Sequence, residues 1–144
     1  MVAYADTSFL VSLYARDANS APAQQMAAAL KVPLAFTPLL RHEARNAIRL
    51  AVFRKEITAL ERQTVLATIE ADVESGALVE TALAWADVYA QAETLSANHT
   101  EQLGTRASGV LHVAAALALG VRAFFTFDTR QKALATAAGL KVKP

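Results

Sequence analysis

Three acids in this chain sit where a carboxylate is costly to hold unless something needs it. Asp6 closes the apolar run Val2-Ala3-Tyr4-Ala5 and is followed by Thr7-Ser8 and then Phe9-Leu10-Val11. Asp128 follows Phe124-Phe125-Thr126-Phe127 in the same way. Each has a structural reading as the N-cap of the next helix, a role that suits Asp. Each also has a functional reading as a ligand at a strand end, and the two roles can coexist. Glu43 is the sharpest case. At about 100° per residue, Leu40, Ala44, Ala47, Ile48 and Ala51 form one apolar stripe, and Glu43 falls within it. An inward carboxylate there needs either a cation or a hydrogen-bond network, and Asn46 or an arginine of the same helix could supply it.

Three acids on separate segments suggest one destination. Carboxylates gathered without a cation repel: at an effective dielectric of about 20, a pair about 4 Å apart costs roughly 4 kcal/mol. A divalent ion removes that cost. Oxygen donors, no cysteine and no close-spaced histidine pair favour Mg²⁺ or Mn²⁺ over zinc. The remaining acids, Glu56, Glu61, Glu70, Glu74, Glu80 and Glu101, are expected to face water. Arg41, Arg45 and Arg49 step by four along another face of the Glu43 helix, with Arg54 and Lys55 beyond. They read either as a solvated face or as contacts to phosphate or to an acidic protein segment.

Several elements must position these residues. Val2–Ala5, Pro33–Phe36, Leu78–Glu80, Ala123–Thr126 and Leu140–Val142 read as short strands. Helices are expected over 7–14, 23–30, 38–54, 58–74, 82–97, 108–119 and 129–138, with Thr37 and Pro38 opening the third. Asn19 or Ser20 is the expected cap of the second, and Gly120 the left-handed stop after 108–119. Short apolar strands alternating with helices indicate an α/β fold, a parallel sheet with helices on both faces. In such sheets sites form beyond the carboxyl ends of the strands, where Asp6 and Asp128 lie.

The chain has 144 residues, 54% of them hydrophobic and 19% charged, enough for one domain spanning 1–144 with a substantial core. Its net charge of +1 does not mark a strongly basic nucleic-acid coat protein. With no cysteine, disulfides and thiol nucleophiles are excluded, which is compatible with a cytoplasmic location. The N-terminus lacks the basic region of a signal peptide, and no apolar run is long enough to span a membrane.

The motifs Ala5-Asp6-Thr7-Ser8, His42-Glu43-Ala44-Arg45-Asn46-Ala47, Leu111-His112-Val113-Ala114-Ala115-Ala116 and Phe125-Thr126-Phe127-Asp128-Thr129-Arg130 follow one another along nearly the whole chain. In that order the chain resembles PIN-domain ribonucleases, in particular VapC-like toxins of type II toxin–antitoxin systems. Each motif alone is weak; their ordered combination is fairly specific. The resemblance implies a PIN-like α/β fold and Mg²⁺- or Mn²⁺-assisted hydrolysis of an RNA phosphodiester. It makes Asp6, Glu43 and Asp128 the catalytic and metal-site acids. Ser8 and Thr126 become hydroxyls lining the site, and Arg41 and Arg45 substrate contacts. It further implies a structured RNA such as tRNA as substrate, a cognate antitoxin and a homodimer.

One departure stands out. The family's pattern resembles Arg-x-x-Asp-x-Leu-His, and Arg106-Ala107-Ser108-Gly109-Val110-Leu111-His112 places Gly109 where the acid is expected. Three explanations compete: an inactivating substitution, a naturally impaired nuclease, or compensation by another acid such as Glu93 or Glu101. The first two imply weakened metal binding in an intact fold. The rival functional class is a PIN-fold module that binds RNA or antitoxin without cutting, which Gly109 favours. Phosphoaspartate hydrolases would want a second Asp where this chain has Ser8, receiver domains an acid pair before the first helix, and no Walker or GxGxxG loop occurs.

Overall fold

The computed structural model describes every residue, Met1–Pro144. In chain order the elements are β1 (Tyr4–Ala5), α1 (Thr7–Tyr14), α2 (Ser20–Ala29), β2 (Leu34–Phe36), α3 (Pro38–Phe53), α4 (Ala59–Ser75), β3 (Leu78–Glu80) and α5 (Trp85–Leu95). A single π-helical turn, Ser96–Thr100, leads into α6 (Glu101–Leu103), followed by α7 (Ala107–Ala118), β4 (Ala123–Phe125), α8 (Thr129–Ala137) and β5 (Lys141–Lys143). The architecture is α/β, as the alternation of apolar strands and helices predicts.

Two compact units share these elements. One combines Met1–Asp6 with Ala82–Pro144, and the other is Thr7–Thr81. In the first, β1, β4 and β5 pair in that order, all parallel, with Tyr4 opposite Phe124 and Ala5 opposite Phe125. Their buried residues Ala3, Tyr4, Ala5, Phe124 and Phe125 form the core with Val110, Val113 and Ala114 of α7 and Leu134 and Ala135 of α8. Strands buried on both faces read as continuous apolar runs, and these do. Gly120 follows α7 at φ 68°, the left-handed stop expected there.

In the second unit β2 and β3 pair in parallel, Leu34 opposite Leu78. Helix α3 is opened by Thr37, whose hydroxyl accepts from the Leu40 N–H at 3.1 Å, with Pro38 at the first helical position. Helix α4 carries a reciprocal cap between Thr58 and Glu61, so Glu61 has a structural task as well as an exposed position. The expected cap of α2 is corrected. Asn19 occupies the cap position without a side-chain bond, and the Ser20 hydroxyl instead donates to Ala15 carbonyl oxygen at 2.7 Å. Asp17 receives the Asn19 N–H at 2.8 Å and organises the turn, a local choice that Asp, Asn and Ser compete for on nearly equal terms. The expected helix over 82–97 opens instead at Trp85 and passes into the π turn; Thr81, which could cap an earlier start, turns its hydroxyl back to the Val79 carbonyl oxygen at 2.7 Å. No helix is long and apolar enough to cross a membrane.

The second unit also holds a buried polar pair. Tyr14 on α1 donates its phenolic O–H to Asp72 of α4 at 2.5 Å. Burial first, then this bond and the charge of Asp72, hold the phenol above its ordinary value of 10.0. The neutral phenol is therefore the form the fold favours. Its contribution is complete below pH 10 and is lost as pH rises beyond it. Stability measured by denaturant titration is expected to fall with pH above about 10. Tyr14→Phe should cost about 1.5 kcal/mol at neutral pH, the low end for a bond to a charged group because Asp72 is partly exposed. It should also remove part of the alkaline fall.

Candidate functional site

The first unit builds its polar centre where β1 and β4 end. The ladder continues one residue past each strand: Asp6 N–H donates to Phe125 carbonyl oxygen at 3.0 Å, and Thr126 N–H to Lys143 carbonyl oxygen at 2.9 Å. Asp6 is 2% exposed and Thr126 fully buried. The Thr126 hydroxyl donates to Asp6 Oδ2 at 2.6 Å, a short bond of the kind an ionised acceptor makes. The same Thr126 oxygen accepts from the Asp128 N–H at 3.0 Å. Asp128 then caps α8, its Oδ1 accepting from the Gln131 N–H at 2.9 Å. A carboxylate has several acceptor positions, so capping leaves Asp128 with further capacity.

Gly109 adjoins this chain of bonds. Gln131 is buried, and its Nε2 donates to the Gly109 carbonyl oxygen at 3.2 Å. A Cβ placed on Gly109 would meet the Gln131 side chain at 3.8 Å, ordinary contact, and the residue lies in the first turn of α7. A side chain is therefore sterically acceptable at 109. Asp6, Thr126, Asp128 and Gly109 are thus brought into one continuous network.

Glu43 lies in the second unit, on α3. The Thr7 hydroxyl donates to its Oε2 at 3.1 Å. Leu40, Ala44 and Ile48 form the fully buried stripe, while Glu43 and Ala47 are half-buried on its border. The inward placement expected for Glu43 is therefore corrected to the edge of the stripe. Its partner here is Thr7, a residue that spacing along α3 could not reveal; the one available sign was its position directly after Asp6. Asn46 is exposed.

Arg41 and Arg45 are engaged within the same unit. Arg41 makes ion pairs with Glu70 and Glu80, both at 2.7 Å, and Arg45 pairs with Glu70 at 2.8 Å. Arg41 also lies 4.9 Å from the ring centre of Phe36. Glu80 faces water as expected while also pairing with Arg41; Glu70, expected to face water, is half-buried between Arg41 and Arg45. Ser8 is exposed in the first turn of α1. His112 is buried and bonded through Nδ1 to the Tyr4 hydroxyl at 2.8 Å, while the Tyr4 ring stacks on Phe124. That pair fixes α7 against β1 and was not legible in the sequence.

The donors offered to a metal are hard oxygens, which suit Mg²⁺ or Mn²⁺ in kind. In number they fall short: no group of three acidic or histidine side chains lies close enough to hold a metal ion. In the first unit, the network of Asp6 and Asp128 runs past position 109, where the chain offers no side chain.

Solved structures of the same architecture exist. VapC20 of Mycobacterium tuberculosis, a sarcin-ricin loop cleaving toxin, superposes with a TM-score of 0.69 at 20% identity, over 98% of this chain and 98% of that one. VapBC2 from Rickettsia felis, bound to a DNA fragment from its promoter, gives 0.65 at 16% identity over 99% and 98%. VapBC-1 of nontypeable Haemophilus influenzae gives 0.59 at 14% over 99% and 97%. No family model matches the chain, and neither does any curated protein. With the parallel strands and flanking helices, these likenesses define the class as a PIN-type α/β fold. Within that class the fold is VapC-like.

The Thr126 hydroxyl carries two bonds in a fully buried position, so its removal separates its role from simple packing. Thr126→Val is expected to cost roughly 2–3 kcal/mol, the range for leaving a buried charged group short of a donor. Thr126→Ser, which keeps the hydroxyl, should recover most of that loss. Urea denaturation of the three proteins checks both.

Proposed function

We propose that this chain, as one PIN-like domain over residues 1–144, is an endoribonuclease toxin of a toxin–antitoxin pair, acting on a structured RNA with a divalent metal ion. The observation that carries this reading is the buried Asp6 carboxylate at the carboxyl end of β1, held by Thr126 at the end of the neighbouring parallel strand. A VapC-like fold matched along 98% of the chain supports it. Asp6 and Asp128 are the proposed metal-site acids. Glu43 is the third, bonded to Thr7, which follows Asp6 in the sequence. When bound, the ion lowers the pKa of water and offsets charge on the phosphate oxygens. The chain's own contribution is to orient. Thr126 fixes one oxygen of Asp6 and the backbone of Asp128, and Thr7 fixes one oxygen of Glu43. Ser8 is exposed in the first turn of α1 and is the proposed second hydroxyl of the site. A phosphate contact at Arg41 or Arg45 would have to displace Glu70 or Glu80.

The proposed partner is a cognate antitoxin, in keeping with the two VapBC structures of the same fold, and the reading extends to a homodimer in the cytoplasm. A second reading, a PIN-fold module that binds RNA or antitoxin without cutting, is favoured by Gly109 and by the lack of a three-acid group. The two readings part at position 109.

Cleavage of a structured RNA such as tRNA by the unaltered chain and by Gly109→Asp, with and without Mn²⁺, is the direct test. The proposal expects weak cleavage by the first and an increase of at least about a hundredfold in the second, an amount typical of one electrostatic group at a reacting centre. A folded Gly109→Asp protein that binds Mn²⁺ and leaves RNA intact would overturn it. Thermal denaturation gives a readout without RNA. Gly109→Ala should stabilise by about 1 kcal/mol through helix propensity alone. Gly109→Asp should equal or exceed that only when Mn²⁺ is present, because without the ion its charge adds to those of Asp128 and Asp6.

A further inference from the structure

The second unit holds a cleft of about 590 Å³ where α1, α2 and α4 end and β2 and β3 begin. That volume falls in the range of sites that take small organic molecules. Its wall is mainly apolar, with Leu13 from α1, Leu30 and Val32 from the link between α2 and β2, and Leu78 from β3. The backbone fixes its edge. Leu34 N–H donates to Ala77 carbonyl oxygen at 3.1 Å, and Gly76 turns the chain out of α4 at φ 84°. Glu43, the acid this unit offers to the proposed metal site, has no part in the wall.

The polar groups of the cleft share a bias. Tyr14 commits its one O–H to Asp72 Oδ2 at 2.5 Å, and Thr68 commits its own to Thr64 carbonyl oxygen at 2.9 Å. What both hydroxyls keep are oxygen lone pairs. Burial and Asp72 hold the phenol neutral, so its proton stays on this bond at ordinary pH. Asp72 is an acceptor throughout. It is half-buried, makes no ion pair, and its Oδ1 receives no hydrogen bond. Thr68 lies one turn before it on α4, so the two are neighbours on that helix. Lys31 is the one cation on the wall. It is exposed and pairs with neither Asp72 nor any other acid, so solvent screens its charge.

A half-buried carboxylate beside oxygens whose protons are committed elsewhere matches a head group with positive charge and several N–H donors. The apolar wall matches a hydrocarbon body behind that head. A purely apolar ligand would desolvate Asp72 without giving it a donor, and an anion would be repelled. We propose that this cleft binds a small organic cation, an ammonium or amidinium group carried on an apolar body. The head bonds to Asp72 Oδ1, with the Tyr14 and Thr68 oxygens as further acceptors, and the body lies against Leu13, Val32 and Leu78. The inference does not depend on the proposed ribonuclease function, and its test involves no RNA.

The probe is phenethylamine, protonated at neutral pH, with phenethyl alcohol and hydrocinnamate as its neutral and anionic counterparts. Binding to the full chain is followed by amide NMR titration. The amine should shift the amides of residues 30–32 and 76–78, which border the cleft. It should bind at least about tenfold more tightly than either counterpart, the factor that one bond to a charged group supplies. Asp72→Asn, which keeps an acceptor for Tyr14, should bring the amine down to the level of the alcohol. Thr68→Arg places a guanidinium at an exposed position one turn from Asp72, where it occupies the carboxylate from within the chain. It should weaken the amine about tenfold or more. The unfolding midpoint shows which variants remain folded, and Thr68→Arg, which alters an exposed side chain, carries the test if Asp72→Asn unfolds. Equal binding of the three compounds, no binding of the amine, shifts confined to other parts of the chain, or amine binding unchanged in a folded variant would overturn the proposal.

Discussion

The burial of Asp6 is the constraint from which the first unit's site follows. A carboxylate 2% exposed is costly without donors, and here the backbone supplies the geometry before any side chain does. Parallel pairing of β1 with β4 carries on through Asp6, which puts Asp6 and Thr126 side by side at the strand ends. The Thr126 hydroxyl then serves twice, as donor to Asp6 and as acceptor for the Asp128 N–H. One buried hydroxyl thereby fixes an acid on β1 and the turn that delivers an acid to α8. Asp128 continues the pattern by capping that helix, so the residue proposed for chemistry also determines where α8 starts.

Helix α3 shows how the second unit divides its charge. Its buried stripe, Leu40, Ala44 and Ile48, leaves two flanks. One carries Glu43, bound by Thr7. Another carries Arg41 and Arg45, matched by Glu70 on α4 and Glu80 on β3. Ion pairs of this exposure contribute at most about 1 kcal/mol each. Their larger effect is on register, because Arg41 bridges an acid on the neighbouring helix and another at the end of a strand while lying over Phe36. Past Arg45 the matching stops. Arg49, Arg54 and Lys55 have no acidic partner, and the side chains between them turn from buried to exposed apolar groups. The helix thus changes from a packing element to a display element within about two turns.

The α/β alternation was readable because buried parallel strands have few polar residues and helices leave periodic stripes. Four of the five strands appeared within a residue of their expected bounds, the first beginning two residues later than expected, and Thr37-Pro38 marked the start of α3 by local chemistry alone. The acids at strand ends were readable for a similar reason: an Asp terminating an apolar run is conspicuous. The rest depends on contacts distant in the chain. Glu43 and Thr7 are 36 positions apart, and Tyr4 and His112 are 108 apart. No periodicity reports such pairs. The wheel placed Glu43 in the stripe because it weighs angle alone, whereas the actual boundary is set by what packs against α3. The pairing of Glu70 and of the solvated Glu80 was hidden because their cations lie on another element.

Position 109 brings these threads together. Glycines that end helices here have a conformational reason, as Gly120 does at φ 68°. Gly109 has none: it lies within α7 where an alanine would be about 1 kcal/mol better, and the space above it is open to the Gln131 side chain at contact distance. Neither backbone geometry nor packing explains a missing Cβ. Electrostatics gives a reason for the missing carboxylate, which any neutral residue would meet, and none for the missing Cβ. In the first turn of a helix an acid gains from the dipole, yet here it would join the neighbourhood of Asp128 and, through Thr126, of Asp6. Without a cation that gathering is unfavourable; glycine relieves it and leaves the Gln131 amide bonded to the main chain. The first unit is therefore self-consistent as it stands, with no buried side-chain nitrogen or oxygen left without a hydrogen-bond partner. What glycine gives up is the additional negative charge that would make the same network require a divalent ion.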